Sequence, residues 1–223
     1  MGSLVRLNAA LDWIEKDDLL ADIGCDHGYL ASLALDKGIP FVQLIDNKEG
    51  PLSVAKKNLN NDSYCNKTLF TLASGLTELD PSVTCVAILG MGGELISQIL
   101  EEGKHKSNNV SKFILEANTK VNILRKYLFL NDYEIISEKI VKENNKYYEL
   151  ILCTKVETKV SYNELDIEFG PILRVNKSPL FIEKWTNVYN KYQNIIKKSD
   201  TVLENLVSEC KMIEEVLWKL KKL

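Results

Sequence analysis

The sequence predicts an α/β protein in which helices cover a mostly parallel sheet, an antiparallel hairpin closes that sheet, and a smaller helical domain follows. Three observations predict this fold. Short apolar runs alternate with helical patterns as far as residue 130, two β-rich runs joined by a polar turn come next, and the C-terminal end carries two heptad patterns. Alternation of strand and helix is the pattern of a parallel sheet wrapped by helices.

Five apolar runs have the length and composition of buried parallel strands. They cover residues 19–23, 41–45, 68–72, 85–89 and 112–115. The segments between them have helical composition, and Pro51 suits the first turn of its helix. These predicted helices cover residues 29–37, 51–59, 94–100 and 121–130.

The next two runs depart from the alternation of strands and helices, because no predicted helix separates them. Residues 133–141 and 147–154 are β-rich, and the polar residues 142–146 between them are of hairpin length. A terminal antiparallel hairpin distinguishes class I (Rossmann-like) methyltransferase sheets from nicotinamide-binding Rossmann domains, whose last strand is parallel. The pattern therefore favours a sulfonium methyl donor over a hydride carrier.

The C-terminal end has apolar residues at alternating steps of three and four. One set runs from Phe181 to Ile195 and the other from Leu203 to Leu220, with the polar residues 197–200 between them. Such heptads predict two helices that fold back on each other as an antiparallel coiled coil.

The two parts of the chain differ in charge. The whole chain has 28 basic and 31 acidic residues, a net charge of −3, which excludes a uniformly basic nucleic-acid coat. Residues 1–171 carry a net charge of −7 and residues 172–223 carry +4. We therefore expect a methyltransferase domain over residues 1–168 and, over residues 169–223, a coiled-coil domain that binds a polyanion. A solvated helix face or a dimer seam would also explain the basic residues there.

The cysteines, the apolar runs and the N-terminus indicate a cytoplasmic protein. The five cysteines are odd in number and contain no C-x-x-C pair, so we expect reduced thiols. No run approaches the ~18 apolar residues of a membrane helix, and residues 1–10 lack the apolar core of a signal peptide. The other histidine, His105, lies in a separate polar segment, and no cysteine pair or acidic cluster accompanies His27, so we expect no metal site there. We expect a monomer with no membrane and no metal partner.

The strongest local signal follows the first strand, where residues 22–30 read Asp-Ile-Gly-Cys-Asp-His-Gly-Tyr-Leu. Gly24 allows a sharp turn at the carboxyl end of the strand, where open α/β sheets bind ligands. The glycine spacing does not match the G-x-G-x-x-G dinucleotide motif, and Asp22 and Asp26 are poor neighbours for a pyrophosphate. They suit a cationic sulfonium that also carries an ammonium group. Both could instead cap the following helix.

His27 and Asp46 are the next candidates for the cofactor site. We assign His27 to the ligand loop without a proton-transfer role, and a hydrogen-bonded strut in the turn is the alternative. Asp46 ends the second strand, 22 residues after Gly24. This is close to the interval of about 20 residues at which an acidic side chain accepts hydrogen bonds from a ribose diol. A turn aspartate would also fit this position.

Two more segments lie at the ends of predicted strands. Residues 74–76 follow the third strand, where backbone groups can frame an adenine ring. Residues 90–93, Gly-Met-Gly-Gly, follow the fourth strand, and their glycines let a planar base approach the main chain. Met91 offers a soft apolar surface, although it could simply fill a gap. We assign Ser74, Gly75, Leu76 and Gly90 to the cofactor, and Met91, Gly92 and Gly93 to the substrate base.

The sequence resembles the bacterial tRNA (adenine(22)-N1)-methyltransferase family, TrmK, over nearly the whole chain. The resemblance rests on the segments described above, on Asn118, on the Tyr148-Glu149 pair and on a coiled-coil tail after Gly170-Pro171. The resemblance implies a class I methyltransferase domain, S-adenosylmethionine as cofactor, a coiled coil that holds tRNA, and N1-methylation of an adenosine in the D-arm region. Three segments depart from the family pattern, the first at Cys25 and Gly28, which stand where the family has Ser and Ala. Ser74 stands where an acidic residue is usual, which puts a side-chain hydrogen bond to the cofactor adenine in doubt, and Glu116-Ala117-Asn118 replaces Gln-Pro-Asn.

N1 of adenine carries an in-plane lone pair, so methyl transfer is an in-line displacement that depends mainly on positioning. The product is cationic, and we assign Asp26 to stabilise that charge. Asn118 is assigned to the base edge, with a routine turn residue as the alternative. N1 lies on the Watson–Crick edge, so the nucleotide must be displaced into the pocket, and contacts of the basic tail with tRNA must offset that cost. The candidate tRNA-binding residues are Arg174, Lys177, Lys184, Lys191, Lys197 and Lys198.

Other functions share part of this pattern. A class I methyltransferase that acts on another RNA or on a protein would have the same cofactor residues. A non-catalytic RNA-binding module could have kept the fold. A nicotinamide dehydrogenase is disfavoured because the Gly-x-Gly spacing is absent.

Overall fold

Among residues 4–60, 62–64, 66–158, 160–199 and 201–218, which the computed structural model describes, seven strands form one mixed sheet. The strands are β1 (Leu19–Ile23), β2 (Phe41–Asp46), β3 (Thr68–Leu72), β4 (Cys85–Gly92), β5 (Lys112–Thr119), β6 (Tyr133–Glu143) and β7 (Lys146–Lys155). Their order across the sheet is β3-β2-β1-β4-β5-β7-β6.

The strand directions confirm the predicted class I methyltransferase sheet. Strands β1 to β5 pair in parallel, whereas β7 lies between β5 and β6 and is antiparallel to both. The chain reverses between β6 and β7 at Asn144 and Asn145, whose φ angles of 49° and 60° suit a two-residue hairpin turn. The strand order reverses between β1 and β4, and open α/β sheets bind ligands at such a switch point.

In the part of the chain that the structure describes, five α-helices accompany the sheet. They are α1 (Val5–Leu11), α2 (Tyr29–Lys37), α3 (Glu49–Asn58), α4 (Gly93–Glu102) and α5 (Val121–Leu130). Helices α2 and α5 begin and end at the predicted residues. Helix α3 begins two residues before Pro51, which the first turn tolerates because an amide there has no partner within the helix. Helix α1 was not predicted, since its seven residues carry too few periodic positions to be recognised.

The glycine-rich segment 90–93 continues a strand and starts a helix. The predicted strand ends at residue 89, but β4 runs through Gly92 with two irregularities in its register to β5. Helix α4 then begins at Gly93. A Cβ atom at Gly93 would overlap the backbone carbonyl of Lys120. The missing side chain therefore lets α4 pack against the segment that follows β5.

Glu149 of the Tyr148-Glu149 pair belongs to a buried ion cluster. Arg125 on α5 donates to Glu138 Oε1 over 2.9 Å and to Glu149 Oε2 over 2.7 Å. All three side chains are at most 2% exposed. The cluster ties α5 to both strands of the antiparallel hairpin, and loss of one partner would leave a buried charge uncompensated.

The chain divides into two compact units, Met1–Ser161 and Tyr162–Leu223. The second unit contains α6 (Glu164–Phe169), α7 (Leu173–Asn176), α8 (Pro179–Lys198) and α9 (Glu204–Leu217). The boundary predicted after residue 168 lies inside α6, whose start is fixed by a capping box of Asn163 and Asp166. The division in the structure precedes this helix.

Helices α8 and α9 pack against each other in opposite directions. The Tyr189 hydroxyl donates to Glu214 Oε1 over 2.8 Å, and further along α8 Gln193 bonds to Cys210. Later residues of α8 thus meet earlier residues of α9, as a helical hairpin requires. A true coiled coil remains a prediction, and Leu220, its last predicted apolar position, lies outside the described residues.

The cysteines whose surroundings the structure describes are buried thiols. They are Cys25, Cys85, Cys153 and Cys210, and none of them forms a disulfide with another described residue. Cys65 lies outside the described residues. Burial raises the pKa of the Cys153 thiol well above its usual value, so this side chain acts as a small apolar core residue.

Candidate active site

A cavity of about 500 Å³ opens at the carboxyl ends of the central strands, beside the switch point between β1 and β4. We call it the crevice pocket. Its walls combine residues from the β1–α2 turn, the end of β2, the end of β4 and the end of β5. The sequence-predicted residues that line it are Asp22, Gly24, Asp26, Asp46, Gly90, Met91 and Asn118.

Asp22 is a buried carboxylate in the wall of the crevice pocket. It is 5% exposed and accepts a hydrogen bond from the backbone amide of Ala31 in α2. Burial, together with the negative charges of Asp46 and Asp26, raises the pKa of Asp22 from 3.8 to about 7. The charge of this carboxylate is therefore poorly compensated within the chain, and a cationic ligand would compensate it.

Gly24 forms the turn between β1 and α2. Its φ angle is 70°, and its N–H donates to the Ile45 carbonyl of β2 over 2.8 Å. A Cβ atom at this position would overlap the Cε methyl of Met91. The backbone conformation therefore favours glycine, and any side chain here would have to displace the end of the Met91 side chain.

Asp26 and His27 lie at the outer part of the same turn. The Asp26 side chain is 73% exposed, and its carboxylate lies 2.7 Å from His27 Nδ1. The His27 ring is parallel to that of Tyr29, with 5.6 Å between the centroids. Asp26 and Tyr29 line the crevice pocket, but His27 does not, so His27 can act on the cavity only through its neighbours.

A second cavity of about 300 Å³ adjoins the crevice pocket, and we call it the side pocket. The two cavities share Gly24, Asp46 and Met91, so Asp46 lies where they meet. Asp46 Oδ1 accepts the backbone N–H of Lys48 over 2.9 Å at the start of α3.

The side pocket contains two of the three predicted residues that follow β3. Ser74 and Gly75 line it, whereas Leu76 is 1% exposed and lines neither cavity. Its wall also includes Gln98 and Glu102 of α4, which are joined by a 2.7 Å hydrogen bond. The sequence did not point to these two, since a polar pair one helical turn apart is common on any exposed helix.

The ends of β4 and β5 are joined through the backbone of Gly90. Its N–H donates to Glu116 Oε2 over 2.9 Å, and Asn118 Nδ2 donates to its carbonyl over 2.6 Å. Arg6 Nη1, from α1, donates to the same Glu116 oxygen over 2.9 Å. Both Arg6 and Glu116 line the crevice pocket. The sequence showed Glu116 only as a departure from the family pattern, without a role, and did not identify Arg6. They are 110 residues apart, and no sequence motif connects them.

Gly92 and Gly93, predicted to admit the substrate base, line neither cavity. A Cβ atom at Gly92 would lie 3.4 Å from Thr119 Oγ1, and Gly93 contacts the Lys120 backbone. The missing side chain of Gly93 serves the contact between α4 and the segment that follows β5, whereas a Cβ atom at Gly92 would make an ordinary contact.

The basic residues predicted to bind tRNA lie in the second unit. Arg174 forms an ion pair with Asp166, so α6 already compensates its charge. Lys177 ends α7 in a left-handed conformation with φ 45°.

Three lysines of α8 form a row on one face of the helix. Lys184, Lys191 and Lys198 are seven residues apart, so they lie on the same face at intervals of about 10.5 Å. Lys197 lies beside the last of them. The Lys184 ammonium lies 4.5 Å from the centre of the Trp185 ring. We call Lys184, Lys191 and Lys198 the lysine row.

The described part of the chain contains neither a candidate membrane-spanning helix nor a candidate metal site. No helix there combines the length and apolar character needed to cross a bilayer. No group of three or more His, Cys, Asp or Glu side chains there is arranged to hold a metal ion.

Comparison with known proteins shows the family to which the chain belongs. Residues 20–222 match the family TrmK, described as tRNA (adenine(22)-N(1))-methyltransferase. The tRNA (adenine(22)-N(1))-methyltransferase of Bacillus subtilis is 27% identical over 227 residues, which cover 95% of each chain. A crystal structure of a candidate tRNA (m1A22) methyltransferase from Streptococcus pneumoniae, in complex with S-adenosyl-L-methionine, has a TM-score of 0.89 at 32% identity over 97% of this chain and 100% of that one. The structure of M. capricolum TrmK with S-adenosyl-homocysteine has a TM-score of 0.81 at 27% identity, over 95% and 94% of the two chains.

Proposed function

Since the chain belongs to the tRNA (adenine(22)-N(1))-methyltransferase family, we propose that its reaction, transfer of a methyl group from S-adenosylmethionine to N1 of adenosine 22 in tRNA, takes place in the crevice pocket. The observation that carries the proposal is the Asp22 carboxylate in the wall of the crevice pocket, whose pKa is raised by burial and by the negative charges of Asp46 and Asp26. The sulfonium and ammonium groups of the cofactor would supply that compensation.

We assign the parts of the cofactor site to three groups of residues. Asp22 and the Gly24 turn hold the methionine part, and Asp46 accepts hydrogen bonds from the ribose. Asp46 belongs to both cavities, which suits a residue that contacts the middle of an extended ligand. The side pocket takes the adenine, where Glu102 is our candidate for the acceptor that Ser74 does not provide.

The remaining predicted cofactor residues have supporting roles in this proposal. His27 holds Asp26, since the carboxylate lies 2.7 Å from its ring nitrogen. Leu76 is a core residue beneath the side pocket's loop.

The chain has to position two reactants and accommodate a charge that moves. When bound, S-adenosylmethionine supplies an electrophilic methyl group. N1 of adenine attacks with its in-plane lone pair, so no residue needs to remove a proton before the bond forms. The base becomes cationic as the methyl arrives, and nearby carboxylates lower the free energy of that state.

Asp26 and Asn118 are our candidates for contact with the base. Asn118 Nδ2 is held by the Gly90 carbonyl over 2.6 Å, so its Oδ1 is the atom we assign to the base edge. Asp26 is 73% exposed, so water screens its charge and its effect on the cationic base is modest.

The second unit is the part that we propose to hold the tRNA. N1 is hidden by base pairing, and displacing the nucleotide costs a few kcal/mol. The lysine row can offset this cost through contacts with phosphates at regular intervals. Arg174 contributes less, because Asp166 compensates its charge. All residues assigned here belong to one chain, and we propose that the monomer is the active unit.

Mass spectrometry of tRNA nucleosides tests the proposed function. The purified chain is incubated with an unmodified tRNA transcript and S-adenosylmethionine that carries a deuterated methyl group, and the RNA is digested. We expect deuterated 1-methyladenosine, and none from a matched transcript with guanosine at position 22. Label in another nucleoside, label in protein, or no transfer at all would contradict the proposal.

A further inference from the structure

We infer that Glu116 recognises the target base: its Oε1 accepts a hydrogen bond from the exocyclic amino group of adenine, and its negative charge favours the cation formed on N1-methylation. The inference rests on the proposed function and names a residue that selects the base. It starts from a carboxylate that lines the crevice pocket and that replaces the glutamine of the family's Gln-Pro-Asn segment.

The two oxygens of Glu116 have different surroundings. Oε2 accepts hydrogen bonds from Arg6 Nη1 and from the Gly90 N–H, both over 2.9 Å. Oε1 is also buried but has no hydrogen-bond partner in the part of the chain that the structure describes. The whole side chain is only 1% exposed. An unpaired buried carboxylate oxygen is costly, so a ligand that brings a donor to it gains the corresponding free energy.

Arg6 holds this carboxylate in place. Arg6 Nε donates to Glu143 Oε2 over 3.0 Å, and its guanidinium lies 4.6 Å from the centre of the Tyr148 ring. The backbone N–H of Val5 donates to the other oxygen of Glu143 over 3.2 Å. The guanidinium is therefore fixed by two carboxylates and an aromatic ring, and the orientation of Glu116 follows from it.

The charge of this cluster suits a base that becomes cationic. One guanidinium between two carboxylates leaves one net negative charge at the wall of the cavity. Burial raises the pKa of Glu116, whereas Arg6 and the Gly90 amide lower it. A cationic base beside Oε1 would act in the same direction as Arg6 and keep the carboxylate ionised.

The chemistry of adenine matches a lone acceptor. The amino group next to N1 offers N–H donors, whereas guanine carries a carbonyl oxygen there, which a carboxylate repels. During transfer a bond forms between N1 and the methyl carbon, the carbon–sulfur bond breaks, and its electron pair stays on sulfur. The positive charge thus moves to the base and is shared between N1 and the amino nitrogen. A hydrogen bond to Glu116 therefore becomes stronger in the transition state than in the ground state.

Comparison of two substrates in two enzymes tests the inference. The first tRNA carries adenosine at the target position, and the second carries purine riboside, which has N1 but lacks the amino group. Both are given to the full chain and to the Glu116→Gln variant. The Gln amide oxygen can still accept hydrogen bonds from Arg6 and Gly90. The Gln amide nitrogen then takes the place of Oε1 and donates, so the variant keeps the contacts that hold residue 116 but replaces the proposed acceptor by a donor.

For each enzyme the preference is the ratio of kcat/KM for the adenosine tRNA to kcat/KM for the purine riboside tRNA. We expect this ratio to be roughly 10-fold or more larger for the native enzyme than for the Glu116→Gln variant, because the variant loses a hydrogen bond to a charged acceptor. The lower nucleophilicity of purine riboside affects both enzymes equally and cancels in this ratio. Glu94→Gln is the matched control, because the exposed Glu94 pairs with Lys120, not with Arg6, and lines neither cavity. It should keep the native preference.

Three results would overturn the inference: an unchanged preference in Glu116→Gln, a variant that loses cofactor affinity instead, and a Glu94→Gln control that loses the preference equally. Thermal melting and calorimetric titration with S-adenosylmethionine check the fold and the cofactor site. If Glu116→Gln does not fold, Glu116→Asp replaces it, because its shorter side chain withdraws the carboxylate and predicts the same loss of preference. Failure of the proposed function gives a different result, since the native enzyme would then not methylate the adenosine tRNA.

Discussion

The Cε methyl of Met91 occupies the space that a Cβ atom on Gly24 would need. The contact joins the β1–α2 turn to the end of β4, and both residues line the crevice pocket and the side pocket. The floor of the candidate cofactor site is therefore a bare backbone turn covered by a thioether side chain. Any side chain added at Gly24 must displace Met91 or distort the turn.

Replacement of this glycine tests the contact. We expect Gly24→Ala to lower the free energy of unfolding by roughly 1 to 3 kcal/mol, because alanine is strained at a φ angle of 70° and displaces Met91. Affinity for S-adenosylmethionine should fall as well. Chemical denaturation and calorimetry measure the two effects. Gly38→Ala is the control, since Gly38 has a φ angle of 100° but open space around it. It should lose stability without losing cofactor affinity, and equal losses of affinity in the two variants would contradict the account.

We expect the buried charge of Asp22 to lower the stability of the cofactor-free protein and to strengthen the binding of S-adenosylmethionine. Its pKa is 3.8 in the ordinary state and about 7 in the folded chain, so the folded state holds the extra proton between these values. The contribution of Asp22 to the free energy of unfolding therefore falls as pH rises through this window and stays low above it. We expect Asp22→Asn to raise the melting temperature of the cofactor-free protein at about pH 8, by about 2 °C or more, but not at about pH 4.

The same variant should bind S-adenosylmethionine more weakly, by roughly 10-fold or more, because a charge-assisted contact is lost. Calorimetry at one pH above 7 measures this. Asp17 is exposed and provides the control. Asp17→Asn should change the melting temperature equally at both pH values and should leave the affinity for S-adenosylmethionine unchanged. A destabilised Asp22→Asn at the higher pH would show that the buried charge is compensated after all.

Asp46 is expected to bind the ribose. Asp46→Ala should weaken S-adenosylmethionine binding by roughly 10- to 100-fold and leave tRNA affinity unchanged, because only the cofactor loses a hydrogen-bond acceptor. Glu49→Ala removes a carboxylate three residues away that lines neither cavity, so its cofactor affinity should stay native. Unchanged affinity in Asp46→Ala would remove this residue from the ribose site.

The lysine row should carry salt-dependent RNA binding. Replacing Lys184, Lys191 and Lys198 together by Gln should weaken tRNA binding and reduce the salt slope of the affinity by about 2 to 3, since each phosphate contact contributes about 0.7 to 0.9. Cofactor binding should be unaffected. Lys211→Gln, on α9, is the control with no expected change of slope. Tight binding with the native salt slope in the triple variant would exclude the row as the tRNA contact.

The sequence predicted the elements whose signals are local. The alternation of apolar runs gave strands β1 and β3 to the residue, and the Asn144-Asn145 hairpin followed from β-rich runs around a polar link. Asp22 and Asp46 were identified for a similar reason, since each lies in or at the end of a strand that points to the switch point. Signals of this kind come from residues that are close to each other in the sequence, so a single sequence is enough to recognise them.

The interactions that the sequence did not reveal are those between distant segments. Arg6 meets Glu116 and Glu143 across more than 100 residues, and α1 itself is too short to show a pattern. Gly92 and Gly93 were assigned to the base because glycines suggest an approaching ligand, but their neighbours are Thr119 and the Lys120 backbone. Only the folded arrangement distinguishes a glycine that admits a ligand from one that admits another segment of the chain.

The central claim is that one crevice holds the cofactor between Asp22 and Asp46. A crystal structure of the chain with S-adenosyl-homocysteine tests it most directly. The account predicts ribose hydroxyls within hydrogen-bond distance of Asp46, the ammonium group beside Asp22, and the adenine among Ser74, Gly75 and Glu102. A product bound elsewhere, with both carboxylates out of contact, would contradict it.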